Sequence, residues 1–219
     1  MKIDTDKLEE FCRLNDFILI DDKELQKENM YKNFVYATDD NFVGIRVYPI
    51  DMPLIINNGV WDKLKKVNNE LKKGNKCLTI YDAYRPIAVQ KMFWDCFYKT
   101  HGYYDETLVA NPSKYGTHNI KINAVDLFIT NIDGSDIELP CKFDDFNGKA
   151  SINYNECSEE AKRNRDLLIN TCSKYGLIVH DDEWWHFYDE RLKDQGMKYT
   201  YSESDLVPKM ENEVFVLEK

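Results

Sequence analysis

The stretch Asn123-Ala-Val-Asp-Leu-Phe-Ile-Thr130 carries the clearest β signal in the chain, and Asn131-Ile-Asp-Gly134 after it reads as a tight turn. Asp-Gly is a favoured hairpin corner, so Ile137 to Leu139 is expected to return as a second strand. Upstream, Cys77 to Tyr81 reads as a buried strand. Arg85-Pro86 opens a helix, because proline suits a first helical turn and holds the residue before it extended. Val89, Met92, Phe93, Cys96 and Phe97 form the core stripe of that helix. Further back, Val60, Leu64, Val67 and Leu71 recur at helical spacing with lysines between them, and Gly74 follows as a stop signal.

At the start of the chain, Asp6 to Arg13 sets Leu8, Phe11 and Cys12 on one helical face, and Phe17 to Ile20 suits a short strand. Downstream, a helix is expected from Ser158 to Tyr175, with Ser158 as cap, Leu167, Leu168 and Cys172 as its apolar residues and Gly176 as its stop. Leu177 to Val179 and Trp184 to Tyr188 then close the sheet. Helices come mainly from the flanks and strands cluster late in tight hairpins. This predicts an α+β fold, one domain over residues 1–219, with a central antiparallel sheet flanked by helices.

Composition narrows the function classes. The 219 residues carry 29 Lys+Arg against 39 Asp+Glu, a formal net charge of −10, and no basic stripe stands out. Nucleic-acid affinity comes mainly from Lys and Arg neutralising phosphates, so this balance argues against such a partner. Hydrophobic residues make up 43%, enough to bury a core and to exclude a disordered chain. No apolar run approaches the roughly 18 residues needed to span a bilayer. Met1 to Glu10 lacks the apolar segment of a secretory signal, and the chain is expected to be soluble and cytoplasmic, with no membrane partner. The six cysteines are scattered without a Cys-x-x-Cys and read as buried free thiols.

Two of the four histidines sit in chemically loaded surroundings: His118 in Tyr115-Gly-Thr-His118, eight residues before Asp126, and His186 in Asp181-Asp-Glu-Trp-Trp-His186. A catalytic zinc wants three protein ligands and an open position, which two histidines and one aspartate would meet. Eight residues span roughly 26 Å if fully extended, so the chain must turn between His118 and Asp126. Glu183 lies three before His186, and regular strand alternation would send the two to opposite faces. A bend at Asp181-Asp182 would let Glu183 lean toward the metal as general base. Spacing alone leaves a plainer alternative open, with His186 and the tryptophans as core filler and His118 on the surface.

Six segments, two of them just described, occur in an order that resembles the VanX-type D-alanyl-D-alanine dipeptidases, zinc peptidases related to D,D-carboxypeptidases, lysostaphin-like enzymes and the hedgehog domain. They are Tyr36-Ala-Thr-Asp-Asp-Asn-Phe-Val-Gly44, Tyr81-Asp-Ala-Tyr-Arg-Pro86, the His118 to Asp126 segment, Phe143-Asp144 with Asn164-Arg165, and Glu183-Trp-Trp-His186. The resemblance implies a hedgehog/D,D-peptidase-like fold and one zinc ion (Zn²⁺) per chain, bound by His118, Asp126 and His186, with Glu183 as general base. It also implies that Arg85 stabilises the oxyanion and that Asp144 pairs with the free ammonium of a dipeptide, which would measure substrate length. Tyr36 and Asp82 resemble substrate-pocket and support positions. His101 and His180 match nothing in the family and read as surface or supporting residues.

One segment departs from the family pattern Ser-x-His-x-x-Gly-x-Ala-x-Asp. Gly116 stands at the serine position, no glycine lies between the ligands, and one extra residue separates His118 from Asp126. Thr117 or backbone N–H groups would then have to bind the carboxylate end of the substrate. The function expected is hydrolysis of D-Ala-D-Ala or a similar small dipeptide in the cytoplasm. The alternatives are a D,D-carboxypeptidase or L,D-peptidase acting on muropeptides, and a non-catalytic binding relative.

Overall fold

The computed structural model describes residues 5–115, 124–192, 210–211 and 214–215. Helix α1 (Thr5–Asn15) buries Leu8, Phe11 and Cys12 and leads into strand β1 (Phe17–Ile20). Helix α2 (Asp22–Glu28) starts on Asp21, whose carboxylate accepts from the Glu24 amide at 2.8 Å, and ends on Asn29 with φ of 55°. Strand β2 (Tyr31–Lys32) follows. The apolar run Leu54–Asn57 forms β3, which pairs antiparallel with β1 as a two-stranded ribbon apart from the main sheet.

Helix α3 (Asn58–Leu71) is capped by Asn57, whose side chain accepts from the Gly59 amide at 2.8 Å, and it buries Val60, Leu64, Val67 and Leu71 as their spacing predicts. Its stop falls one residue beyond Gly74. A 3₁₀ turn over Lys72–Gly74 hands over to Asn75, which takes the left-handed conformation (φ 56°) that asparagine tolerates and redirects the chain into β4 (Lys76–Asp82). Pro86 caps helix α4 (Ile87–His101), which ends on Gly102. A short helix α5 (Pro112–Tyr115) precedes β5 (Ala124–Asn131).

Helix α6 (Glu159–Lys174) is capped by Ser158, which accepts from the Ala161 amide at 3.0 Å. Leu168 and Cys172 face the core, whereas Leu167 is 39% exposed, as a residue a hundred degrees round the helix should be. Strands β6 (Ile178–His180) and β7 (Glu183–Tyr188) complete a five-stranded sheet in the order β2-β4-β5-β7-β6. All its pairings are antiparallel except β2 with β4, an edge the tight-hairpin pattern did not predict. A pair of two-residue strands, β8 (Met210–Glu211) and β9 (Val214–Phe215), lies near the C-terminus.

The expected return strand at Ile137–Leu139 does not form. The turn itself is present, with the Gly134 amide donating to Asn131 O at 2.8 Å and Gly134 at φ of 83°. Asn131 and Asp133 then bind the backbone and side chain of Ser135, and α6 takes the next carbonyl: Asn164 Nδ2 donates to Glu138 O at 2.9 Å. The chain is drawn to the helix instead of the sheet, and the strands beside β5 come from remote parts of the sequence.

Buried polar residues of α3 tie the layers together. Asn68, fully buried, accepts from the Leu78 amide of β4 at 2.8 Å and donates to Glu28 O of α2 at 2.8 Å. Lys63 reaches Asp189, just past β7, at 2.7 Å and also donates to Gly176 O. Burial alone would raise the Asp189 carboxyl, but hydrogen bonds from Arg191 and Lys63 outweigh it and hold the pKa at about 2. A carboxyl depressed in the folded state stabilises above its unfolded value near 3.9 and loses that contribution as pH falls toward 2. Lys63→Met should therefore lower the unfolding free energy at neutral pH by about 3 kcal/mol, since Asp189 loses its buried partner. Urea titrations of both proteins between pH 6 and about 2 should show the difference shrinking as Asp189 protonates.

Candidate active site

Three adjacent strands bring three ionisable side chains into one row. Asp82 at the end of β4 stands opposite Asp126 of β5, and Asp126 stands opposite His186 of β7. The β4–β5 register shifts between Ile80 and Asp82, which aligns the first pair. His186 Nδ1 lies 2.8 Å from Asp126 Oδ1, and both residues are buried.

Glu183 joins them through a second irregularity. The β6–β7 register slips between Val179 and His180, so that His180 opposes Glu183 instead of His186. Within the slipped segment the Trp184 amide leaves the sheet and donates to Ala150 O at 2.8 Å. Simple alternation is thereby broken, and Glu183 Oε2 comes to 3.8 Å from His186 Nδ1 despite the odd spacing. Ligand atoms of Asp126, Glu183 and His186 all fall within 4.8 Å of one another. Trp184 and Trp185 are both buried and do fill the core, but His186 beside them does not serve as filler.

Arg85 closes the row on the other side. Its Nε and NH2 groups donate to Asp82 Oδ2 at 2.9 and 2.7 Å, NH1 donates to Gln90 Oε1 at 2.9 Å, and NH2 lies 3.8 Å from Asp126 Oδ2. The guanidinium packs 4.9 Å from the Phe93 ring centroid and 5.4 Å from that of Tyr36. Asp82 is fully buried, and its other oxygen accepts from Tyr48 Oη at 3.0 Å and the Ala83 amide at 2.9 Å. Asp144, held at φ of 57°, accepts a 2.7 Å hydrogen bond from the buried Tyr36 hydroxyl. Tyr36, Arg85, Asp126, Asp144, Glu183 and His186 all open onto one cavity of about 370 Å³. The segment Glu106–Ala110 forms another wall, and Phe42, Phe93, Phe143, Phe146 and Trp185 make much of the rest apolar.

Low polarity sets the protonation. Burial pushes Glu183 up to about 8, helped by the like charges of Asp126 and Asp144. Burial likewise raises Asp126 to about 7, against the opposing pull of Arg85. Asp144 reaches about 7 because burial exceeds the opposing Tyr36 hydrogen bond. Burial drives His186 down to about 3, so its imidazole is neutral and able to donate a lone pair. Two carboxylates and a neutral imidazole converging in one cavity form a donor set suited to a divalent metal, whose charge would favour the ionised carboxylates.

A family described as D-ala-D-ala dipeptidase matches residues 24–205 of this chain. The chain belongs to that family. With it comes assignment to the metallopeptidases. The D-alanyl-D-alanine dipeptidase of Escherichia coli (strain K12) is 29% identical over 152 residues, covering 69% of this chain and 75% of that protein. Among the described residues no helix is long and apolar enough to cross a membrane.

Of the dipeptidase-family residues expected from the sequence, Asp126, Glu183, His186, Arg85, Asp144 and Tyr36 meet in the cavity, while Asp82 sits behind Arg85 and holds it. His118 and Thr117 lie outside the described residues. His180 lines the cavity, its ring edge-on to His186 with centroids 5.8 Å apart, so it supports the site more closely than its lack of a family match suggested. Gln90 went unnoticed in the sequence. The available signal was a polar residue inside the apolar stripe of α4, between Val89 and Met92, and it is 1% exposed. Asp82→Ala would leave the Arg85 guanidinium without its buried counter-ion and should cost about 3–5 kcal/mol in urea unfolding. Tyr48→Phe removes one hydrogen bond from the same carboxylate and should cost about 1 kcal/mol.

Proposed function

We propose that this chain, as a single domain, is a zinc-dependent dipeptidase that hydrolyses D-Ala-D-Ala in the cytoplasm. The observation that carries the reading is the convergence of Asp126, Glu183 and His186 in the same cavity as Arg85 and the Tyr36–Asp144 pair. His118, Asp126 and His186 are the proposed holders of one zinc ion. When bound, zinc supplies Lewis acidity at the scissile carbonyl and lowers the pKa of water to about 7. Glu183 takes the proton of the attacking water and returns it to the departing amine, so the peptide C–N bond breaks and two amino acids leave. A carboxyl raised by burial is a better proton acceptor than one in water.

Arg85 is the proposed donor to the oxygen that becomes negative as the carbonyl is attacked. Its charge is permanent, and Asp82 and Gln90 fix its plane before substrate arrives. Asp144, steadied by Tyr36, is the proposed partner of the substrate ammonium, and Thr117 the proposed contact for its carboxylate end. A longer or blocked peptide brings no ammonium to Asp144, which leaves that carboxylate with the Tyr36 hydroxyl and no counter-ion.

Purified protein should release D-Ala from D-Ala-D-Ala, lose the activity to a chelator and regain it with added zinc. Glu183→Ala should lower kcat by about 100-fold or more with zinc still bound. His118→Ala should instead lose zinc, measured by metal analysis after dialysis. Asp144→Asn should lower kcat/KM for the free dipeptide on the order of 100-fold and leave turnover of an N-acetylated analogue near its parental value. No dipeptide turnover by a zinc-loaded protein would overturn the reading in favour of longer muropeptides or a binding role.

A further inference from the structure

Gln90 does more than hold the plane of Arg85. It projects from the first turn of α4, is 1% exposed, and lines the cavity. Its two amide ends bond in opposite directions. Oε1 accepts from Arg85 NH1 at 2.9 Å, and Nε2 donates to Ala110 O at 2.9 Å. The orientation is unambiguous in chemical terms, because a guanidinium can only donate and a carbonyl can only accept. No other neutral side chain of this length supplies one acceptor and one donor in that arrangement.

Each end holds something that faces substrate. On one side is Arg85, fixed in its plane by Asp82 and Gln90 and on its faces by Phe93 and Tyr36. On the other is the segment that walls the cavity over Glu106–Ala110. That wall has its own small framework: Asp105 Oδ1 accepts from the Thr107 amide at 2.9 Å, and Asp105 O accepts from the Val109 amide at 3.0 Å. Asn111 Nδ2 closes back on Glu106 Oε1 at 3.4 Å, and the Ala110 carbonyl between them is tied to the body of the protein by Gln90. Aromatic neighbours hold Arg85 by its faces, so its in-plane bonds, Nε and NH2 to Asp82 and NH1 to Gln90, set where the guanidinium edge points.

We infer that Gln90 is a positioning residue that locks the Arg85 guanidinium to the Glu106–Ala110 wall, so that the oxyanion donor and the wall of the substrate pocket are set by one buried amide. The inference rests on the dipeptidase reading for the role of Arg85, but the link to the wall stands on geometry alone. Losing both ends misplaces the donor and loosens the wall. Losing only the donor end loosens the wall and spares Arg85.

Two near-isosteric variants separate these effects. Gln90→Met removes both bonds, and Gln90→Glu keeps an acceptor for Arg85 but turns a second oxygen toward Ala110 O. With D-Ala-D-Ala as substrate, Gln90→Met should lower kcat by about 10- to 100-fold, the cost of a displaced catalytic group, and raise KM. Gln90→Glu should recover most of kcat while KM stays raised. A purely structural role would scale kcat with the folded fraction, followed by thermal melting, and would not divide kcat from KM between the two variants. Hydrogen exchange of metal-free, substrate-free protein gives a reading independent of activity: amides of Thr107, Leu108 and Val109 should exchange faster in both variants, with those of β5 unchanged. Unaltered exchange in Gln90→Met overturns the link to the wall, and an unaltered kcat in that variant overturns the hold on Arg85. Absence of turnover in the parent would count against the dipeptidase reading instead, and the exchange result would still decide the link.

Discussion

The site depends on one buried ion pair. Asp82 is fully enclosed, and burial pushes its carboxyl up to about 6 even against the lowering effect of Arg85. Taking both charges out of water is costly, and the geometry compensates by satisfying each oxygen: one takes two bonds from Arg85, the other takes the Tyr48 hydroxyl and the Ala83 amide. Such a pair adds little to net stability over an apolar replacement. It does add directional constraint. Arg85 can then face the cavity at a defined angle from a non-helical segment between β4 and α4, where a side chain without such ties would sample many rotamers.

From that pair the rest follows by strand register. Asp82, Asp126 and His186 lie side by side because β4, β5 and β7 are neighbours, and adjacent strands lie about 4.8 Å apart. That spacing brings side chains on one face within reach of a common point without any loop having to hold them. Two irregularities refine the row, one at Ile80/Asp82 and one at Val179/His180, and both occur at the end of the sheet where the chemistry sits. Regular pairing would have aligned His180 with His186 and sent Glu183 to the far side. The slipped segment remains satisfied because Ala150 supplies the carbonyl that the sheet no longer offers.

Elements set by local chemistry were legible in the sequence. Ser158 and Gly176 mark helix ends by capping or positive φ, and the α3 stripe repeats at its helical period, so these needed no tertiary information. The strand at Ile137–Leu139 was misread because its fate is decided by Asn164, a residue far along the chain that takes the Glu138 carbonyl. A bend at Asp181-Asp182 was expected to bring Glu183 toward His186, but the register slip behind the 3.8 Å approach has no signature in Glu-Trp-Trp-His. Gln90 looked like one polar residue in a helix, and only the meeting of α4 with the Ala110 segment gives its amide two partners.

Electrostatics links the cavity to folding as well as to chemistry. Asp126, Asp144 and Glu183 are all held above their ordinary values by burial, and the mutual repulsion of these carboxylates adds to it for Glu183 and Asp144. One guanidinium cannot neutralise them all, because its single charge is already paired with Asp82. The cavity is therefore a place where the fold tolerates a cost in return for affinity toward positive charge. A cation seated between Asp126 and His186 and an ammonium seated at Asp144 would each relieve part of it, and relief at one carboxylate lowers the repulsion felt by the others. Ligands of that kind would bind the folded chain in preference to the unfolded one, so the same carboxylates that carry this repulsion would make occupancy a source of stability.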